Sequence, residues 1–246
     1  ASEKGPWANS YDRWRNDNLT NRYQGVQFGY TSAGRYTSWN DIWNYYGFKE
    51  RDVLPGDYKY EDWNGDGEIN GQDEHPFAFD QTPWLQFSLN AGLQWKNFDF
   101  NMLLQGSALG SMEYKEPLHE IWGKNGGGAL TQFLDRWHPV DPKADPYDPS
   151  TVWTSGHYAY TGRWAKNNSA FNRVSTAYLR LKSIELGYTF PKLKQIPNAS
   201  LRVYANAYNL LTFTGVKFVD PEHPDDDLGR MYPLNKTYTL GVSLSF

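Results

Sequence analysis

The 246-residue sequence predicts an all-β fold, an antiparallel transmembrane β-barrel segment with long loops at one end. Three observations predict it. Apolar and polar residues alternate with a period of two over several stretches. Short and long connections alternate along the chain, so the long ones all leave the same end of a sheet. The face opposite the apolar one carries Gln, Asn, Ser, Thr and Arg, which suit water or a plug, whereas the apolar face suits lipid.

Composition removes other classes. The chain is 17% aromatic and 21% charged, lacks cysteine, and carries a net charge of −4. The aromatic wealth excludes simple disorder. Zero cysteine excludes disulfide scaffolds, thiolate zinc sites and cysteine nucleophiles. No apolar run approaches the length of a transmembrane helix. The mild acidity gives no electrostatic case for nucleic acid. Residues Ala1 to Ser10 show no basic segment followed by an apolar stretch, so no signal peptide is visible there.

The first strong alternation follows Pro83. Phe87, Leu89, Ala91, Leu93 and Trp95 fall on one face, with Gln86, Ser88, Asn90, Gly92 and Gln94 on the other. After Lys96-Asn97, a tight hairpin, Phe98, Phe100, Met102 and Leu104 continue the pattern against Asn97, Asp99, Asn101 and Gln105, with Leu103 the exception. Ala177 to Phe190 places Leu179 and Leu181, then Ile184, Leu186, Tyr188 and Phe190, on the apolar face. The phase slips by one near Lys182-Ser183, which predicts a β-bulge. Ser200 to Phe213 alternates Leu201, Val203, Ala205 and Ala207 with Arg202, Tyr204, Asn206 and Tyr208. Thr237 to Phe246 sets Tyr238, Leu240, Val242, Leu244 and Phe246 against Thr239, Gly241, Ser243 and Ser245.

Connections after Trp95 and Phe190 are short, and those spanning 106–176 and 214–236 are long, as is everything before Pro83. Loops of compact domains are seldom so long, so the stretch around Gly126-Gly127-Gly128 needs a special reason. Five alternating strands alone would also build a soluble sandwich. Loop asymmetry and strand length favour the barrel. The chain divides into a loop region over 1–82, carrying a calcium-binding loop at 62–73, and barrel strands with their loops over 83–246.

That calcium loop reads DWNGDGEINGQD. Acidic or amide oxygens occupy loop positions 1, 3, 5 and 12, namely Asp62, Asn64, Asp66 and Asp73. Gly67 stands where the turn requires glycine, and Ile69 follows at position 8. The peptide carbonyl of Glu68 is the expected backbone ligand, and Asn70 acts directly or through water. Hard oxygens at this spacing select Ca²⁺. Asp73 replaces the usual glutamate, and its shorter reach predicts affinity in the roughly 10⁻⁴–10⁻³ M range. No amphipathic helix pair flanks the loop, so its expected role is structural. The alternative is an Asx- and Gly-rich turn that binds nothing.

Several stretches together resemble the SusC-like TonB-dependent outer-membrane transporters. Pro55-Gly56-Asp57-Tyr58-Lys59-Tyr60, followed by Asp62-Trp63-Asn64-Gly65-Asp66-Gly67, resembles the family signature. Tyr178 to Pro191 (YLRLKSIELGYTFP) resembles its late-strand motif. Asn209-Leu210-Leu211-Thr212-Phe213 with Asp220-Pro221-Glu222 resembles the next strand and loop, and Tyr232-Pro233 with Tyr238 to Phe246 the terminal strand.

The resemblance implies the last five or so strands of a 22-stranded barrel whose plug and TonB box lie elsewhere. It further implies a SusD-like surface lipoprotein as partner, TonB as energy source, glycan or peptide oligomers as cargo, and the bacterial outer membrane as location. The final Phe246 resembles the signal read by the barrel-assembly machinery. Five strands would leave open edges in lipid, so the missing strands are expected from the N-terminal remainder of the same transporter.

Nothing in the sequence predicts an enzyme. His75, His119, His138, His157 and His223 are scattered outside any metal-ligand spacing, and no nucleophile elbow or phosphate-binding loop occurs. The Asp225-Asp226-Asp227 run reads as solvated loop. The runner-up function is a secreted, calcium-stabilised β-sandwich carbohydrate-binding module. Its sugar-stacking residues would come from Trp39, Trp43, Tyr45, Tyr46, Trp122, Trp137, Trp153 and Trp164. The same aromatics also suit loop packing and membrane-interface girdles.

Overall fold

A computed structural model describes residues 23–45, 53–119, 130–161, 165–166, 168–191, 199–223 and 228–245. Expectations placed on Tyr46, Trp122, Gly126 to Gly128, Trp164, Asp225 to Asp227 and Phe246 lie outside the described residues.

In chain order the elements are β1 (Gln27–Gly29), β2 (Ser32–Arg35), the short helix α1 (Trp39–Asn44), β3 (Tyr58–Tyr60) and β4 (His75–Ala78). Two long strands follow, β5 (Leu85–Trp95) and β6 (Phe98–Ala108). Short β7 (Ser111–Glu113), β8 (His138–Pro139), β9 (Trp153–Thr154) and β10 (Arg173–Ser175) lead to the long β11 (Tyr178–Phe190), β12 (Ser200–Thr214) and β13 (Thr237–Ser245). Among the described residues, no helix is long and apolar enough to cross a membrane. The chain forms two compact units: Ala1–Asp80 with Met112–Val174 and Asp227–Gly229, and Gln81–Ser111 with Ser175–Asp226 and Arg230–Phe246.

The second unit is one sheet in the order β13–β12–β11–β6–β5, every neighbour antiparallel. These are the five predicted strands, each within a few residues of its expected bounds. Lys96 and Asn97 close the β5–β6 hairpin, with Lys96 in the left-handed region at φ 55°.

The register aligns the alternation of all five strands. Leu93, Phe100, Leu186, Ala205 and Leu240 form one row across the sheet. The adjacent row is Gly92, Asn101, Glu185, Asn206 and Thr239. Successive Cβ atoms point to opposite faces, so one row lies on an apolar face and the next on a polar one. The apolar face is exposed: Leu240 keeps 85% of its surface, and Leu93, Trp95 and Val242 each keep more than half. A one-residue slip would turn every apolar row over.

The predicted bulge is present. Register shifts between Leu181 and Ser183 on both sides of β11. On β12 the opposing gap holds Asn209 and Leu210, and Asn209 takes φ 53°, a left-handed conformation that asparagine tolerates better than most residues. Across the slip Ser183 takes up the polar phase that Arg180 holds before it, and Ile184 rejoins the apolar rows.

At the hairpin end, aromatic rings gather. Trp95 stacks on Phe98 at 6.3 Å, Phe98 meets Tyr188 at 4.7 Å, and Tyr188 meets Phe190 at 4.7 Å. Lys96 folds its ammonium over the Trp95 ring at 4.9 Å.

The first unit is built from loops pinned by short strand pairs, among them the antiparallel β1–β4, β2–β3 and β8–β9. Helix α1 starts because Ser38 caps it, its Oγ accepting from the Asp41 amide at 3.2 Å. Its inward residue Ile42 is fully buried with Tyr36 and Val53, flanked by Trp39 and Tyr45. A second cluster joins Phe133 to Tyr158.

Cations fill the spaces between rings. Lys59 bonds Asp41 at 2.6 Å and lies 4.2 Å from the Tyr45 ring centre, Arg35 sits 4.2 Å over Tyr58, and Lys166 4.4 Å over Tyr30. Aromatic and cation–π contacts thus supply the cohesion that long polar loops otherwise lack.

Candidate functional site

The loop 62–73 folds as a series of turns in which side-chain oxygens grip backbone amides. Asp62 accepts from Gly65 at 2.7 Å and from Gly67 at 2.9 Å, one carboxylate oxygen each. Asn64 Oδ1 accepts from the Asp66 amide at 2.9 Å, and Asp66 Oδ1 from the Glu68 amide at 2.8 Å. Gly65 and Gly67 take φ 76° and 82°, which is why glycine stands at both positions.

Asp73 closes the loop from below and is fully buried. Its Oδ1 accepts from Trp63 at 2.9 Å and Asn64 at 3.4 Å, its Oδ2 from Asn70 at 2.8 Å. Burial pushes the Asp73 carboxyl above its ordinary range, the three amides pull against that, and nearby Asp62 adds to the upward push. Asn70 and Asp73 cap each other across the turn 71–73. His75 Nδ1 donates to the Asp73 carbonyl at 2.8 Å, and the Trp63 ring stacks on His75 at 3.7 Å.

The five expected ligand residues, Asp62, Asn64, Asp66, Glu68 and Asp73, therefore share one turn of chain. Among the described residues, no three His, Asp or Glu side chains gather closely enough to hold a metal ion by themselves. The donors present are hard oxygens, the chemistry calcium prefers, and two of the expected ligands are an amide and a backbone carbonyl rather than carboxylates.

On the polar face of the sheet two charge clusters appear that period-two reading left unnamed. Arg202 of β12 reaches across β11 to Asp99 of β6, Nε donating to Oδ1 at 3.1 Å and Nη2 to Oδ2. The same Nη2 donates to Glu185 at 2.6 Å. Nearer the long-loop end, Arg180 is 1% exposed and donates to Thr212, Asp220 and Glu222, while Lys182 bonds Glu222 at 3.0 Å. The available sequence signal was charge on the polar phase of each strand, but strand order and register were needed to pair those charges.

Among the described residues, most of the loop aromatics named for sugar stacking are engaged in packing. Trp137 is buried, Trp153 meets Tyr160 edge-on at 5.3 Å, and the Tyr45 hydroxyl bonds the Tyr60 carbonyl. Trp43 is the exception, 62% exposed on α1 beside Trp39.

No family model matches the chain. Known proteins do resemble it. TonB-dependent receptor P3 of Formosa agariphila is 28% identical over 211 residues, covering 79% of this chain and 19% of that protein. TonB-dependent receptor SusC of Bacteroides thetaiotaomicron is 26% identical over 210 residues, covering 84% of this chain and 19% of SusC. The chain is similar to the TonB-dependent receptors, SusC among them. It spans about a fifth of the length of the curated relatives it matches.

Among solved structures, the RagAB peptide transporter superposes over 90% of this chain and 22% of that one, with a TM-score of 0.56 and 19% identity, so the two share a fold. The antiparallel sheet described above thus matches part of that transporter's fold. The receptors it resembles are described as receptors and importers, not as enzymes.

Proposed function

We propose that this chain is the C-terminal barrel portion of a SusC-like, TonB-dependent importer of the bacterial outer membrane, working with a SusD-like lipoprotein lid. Its cargo would be oligosaccharide or oligopeptide, and TonB would act through a plug carried by the rest of the transporter. The observation that supports this most strongly is the registration of alternation across all five strands. Apolar row follows polar row from β5 to β13, and the apolar face stays exposed. A soluble sandwich must cover that face with a second sheet. A barrel wall leaves it to lipid and ends it in aromatic rings such as Trp95, Phe98 and Tyr188.

The edges of β5 and β13 need partners, because hydrocarbon does not tolerate open strand edges. The remaining strands of the transporter would supply them. The experiment is uptake of labelled oligosaccharide and oligopeptide libraries by cells with and without the intact gene, repeated without TonB. Uptake of one class that needs both gene and TonB is the expected result. Equal uptake in all strains would contradict import, and detergent-independent solubility of the whole protein would favour the carbohydrate-binding module.

Calcium at residues 62–73 belongs to the same proposal. The ion would be held by Asp62, Asn64, Asp66, the Glu68 carbonyl and Asp73, and would stiffen a loop facing the medium, on the side where the lid docks. Support comes from the oxygen-only donor set and from the left-handed glycines that keep the turn tight.

A further inference from the structure

The charges around Arg180 do something the strand pattern does not require. Arg180 stands on the polar face of β11, and all three of its nitrogens are engaged. Nε donates to Thr212 Oγ1 at 2.9 Å, Nη2 to both oxygens of Asp220 at 2.9 and 2.7 Å, and Nη1 to Glu222. Glu222 also receives Lys182 Nζ at 3.1 and 3.0 Å and the Tyr178 hydroxyl at 2.9 Å. Two cations and two carboxylates balance, and the guanidinium is withdrawn from solvent.

Both acids belong to the connection that follows β12, only six and eight residues beyond its last residue, Thr214. That connection is organised on its way there. Thr214 Oγ1 donates to the Ala177 carbonyl at 2.9 Å and accepts from the Val216 amide at 3.1 Å, and Val216 is buried. Asp220 then accepts from the Glu222 amide at 2.9 Å and from the His223 amide, through its carbonyl, at 3.0 Å. Arg180 and Lys182 stand two residues apart on β11, and both reach Glu222.

We propose that this cluster is an ionic strap that binds residues 216–223 to the polar face of the sheet. The start of the β12–β13 connection is then a fixed part of the wall and not a mobile surface loop. In the importer, a consequence that rests on the function proposed above, the segment narrows the lumen permanently and the moving lid must be elsewhere. A buried ion pair is weak evidence for net stability, but removing one partner strands the others and releases what they hold. Arginine is the fitting residue because its fork addresses Asp220 bidentately while its other nitrogens reach Thr212 and Glu222.

The experiment is amide hydrogen exchange of the intact transporter in outer-membrane vesicles, following 216–223 against the β5–β6 hairpin. In the unaltered protein the segment should exchange as slowly as strand ends, not as an open loop. Arg180→Gln should speed exchange of 216–223 about tenfold or more while the hairpin stays protected. Arg180→Lys should fall between, keeping charge without the fork.

Asp220→Asn lies in the connection, not in a strand, and decides the matter alone if Arg180→Gln fails to assemble. Unprotected exchange of 216–223 in the unaltered protein, or unchanged exchange in Asp220→Asn, overturns the strap. Uptake measured on the same preparations separates the two claims. Loss of TonB-dependent uptake by the unaltered protein contradicts import and leaves the exchange result standing.

Discussion

Arg202 and Asp99 are joined side chain to side chain although a whole strand, β11, lies between theirs. What lets them meet is Gly187, the β11 residue in register with Asp99. A Cβ there would stand 2.5 Å from Asp99 Oδ1 and 2.6 Å from Arg202 Nη2. Gly187→Ala should therefore push the pair apart and destabilise the assembled barrel by roughly 1–3 kcal/mol. The denaturant midpoint of the transporter in lipid or detergent checks this. An unchanged midpoint would mean the three strands are not held through this contact.

The two faces of β13 should tolerate charge very differently. Leu240→Arg puts a guanidinium on the apolar row, and in a lipid-facing wall it should cost about 2–4 kcal/mol near the midplane. Thr239→Arg, one residue earlier and on the polar row, should assemble nearly normally. Quantitative folding into vesicles would measure both. Equal effects of the two substitutions would argue against lipid on the Leu240 side.

Calcium should raise the thermal midpoint of the intact transporter over a concentration range of roughly 10⁻⁴–10⁻³ M. Asp62→Ala combined with Asp66→Ala should abolish that response, since both carboxylates sit inside the turn. Calorimetric titration with and without chelator reads the same site. A response kept by the double variant would place the ion elsewhere, and no response in the unaltered protein would make the loop an Asx-rich turn alone.

Acid should loosen the α1 region. Burial pushes the Asp41 carboxyl up, but the Lys59 ammonium and the Thr37 amide outweigh it, and the net shift is downward. A carboxyl lowered on folding stabilises above its ordinary value of about 4 and loses that contribution as pH falls through the folded value. Limited proteolysis near 39–45 should accelerate on acidification below about pH 4. Lys59→Met should flatten that part of the profile, because the ammonium holding the carboxyl down is gone.

Much of the sheet was legible because its physics is local. Period-two alternation in 87–95 or 238–244 needs no knowledge of neighbours, and even the bulge announced itself as a phase slip between Leu181 and Ile184. The pairing of Arg202 with Asp99, 103 residues away in sequence, is set by strand order, which alternation does not encode. The Arg180 cluster was hidden for the same reason. Asp220-Pro221-Glu222 reads as loop, and only the chain's return over β11 brings it to the guanidinium.

In the loops, helix α1 and the short strands went unread. They are short, and their cohesion comes from cations between rings, such as Lys59 against Tyr45, that leave no periodic trace. The turn 62–73 was legible as a motif, since glycine at positions 65 and 67 and the oxygen spacing are chemical requirements of the turn itself.

If this sheet is a stretch of membrane-spanning wall, lipid meets one of its faces and water the other. These 246 residues hold no cysteine, so single cysteines can be placed along Thr237–Ser245 and labelled with nitroxide in the intact transporter in outer-membrane vesicles, with any cysteine of its other segments replaced by serine. Accessibility to oxygen and to a water-soluble nickel complex should alternate residue by residue. Oxygen should peak at 238, 240, 242 and 244, and nickel at 239, 241 and 243. Uniform nickel access along the strand, or no period of two, would contradict a lipid-facing wall.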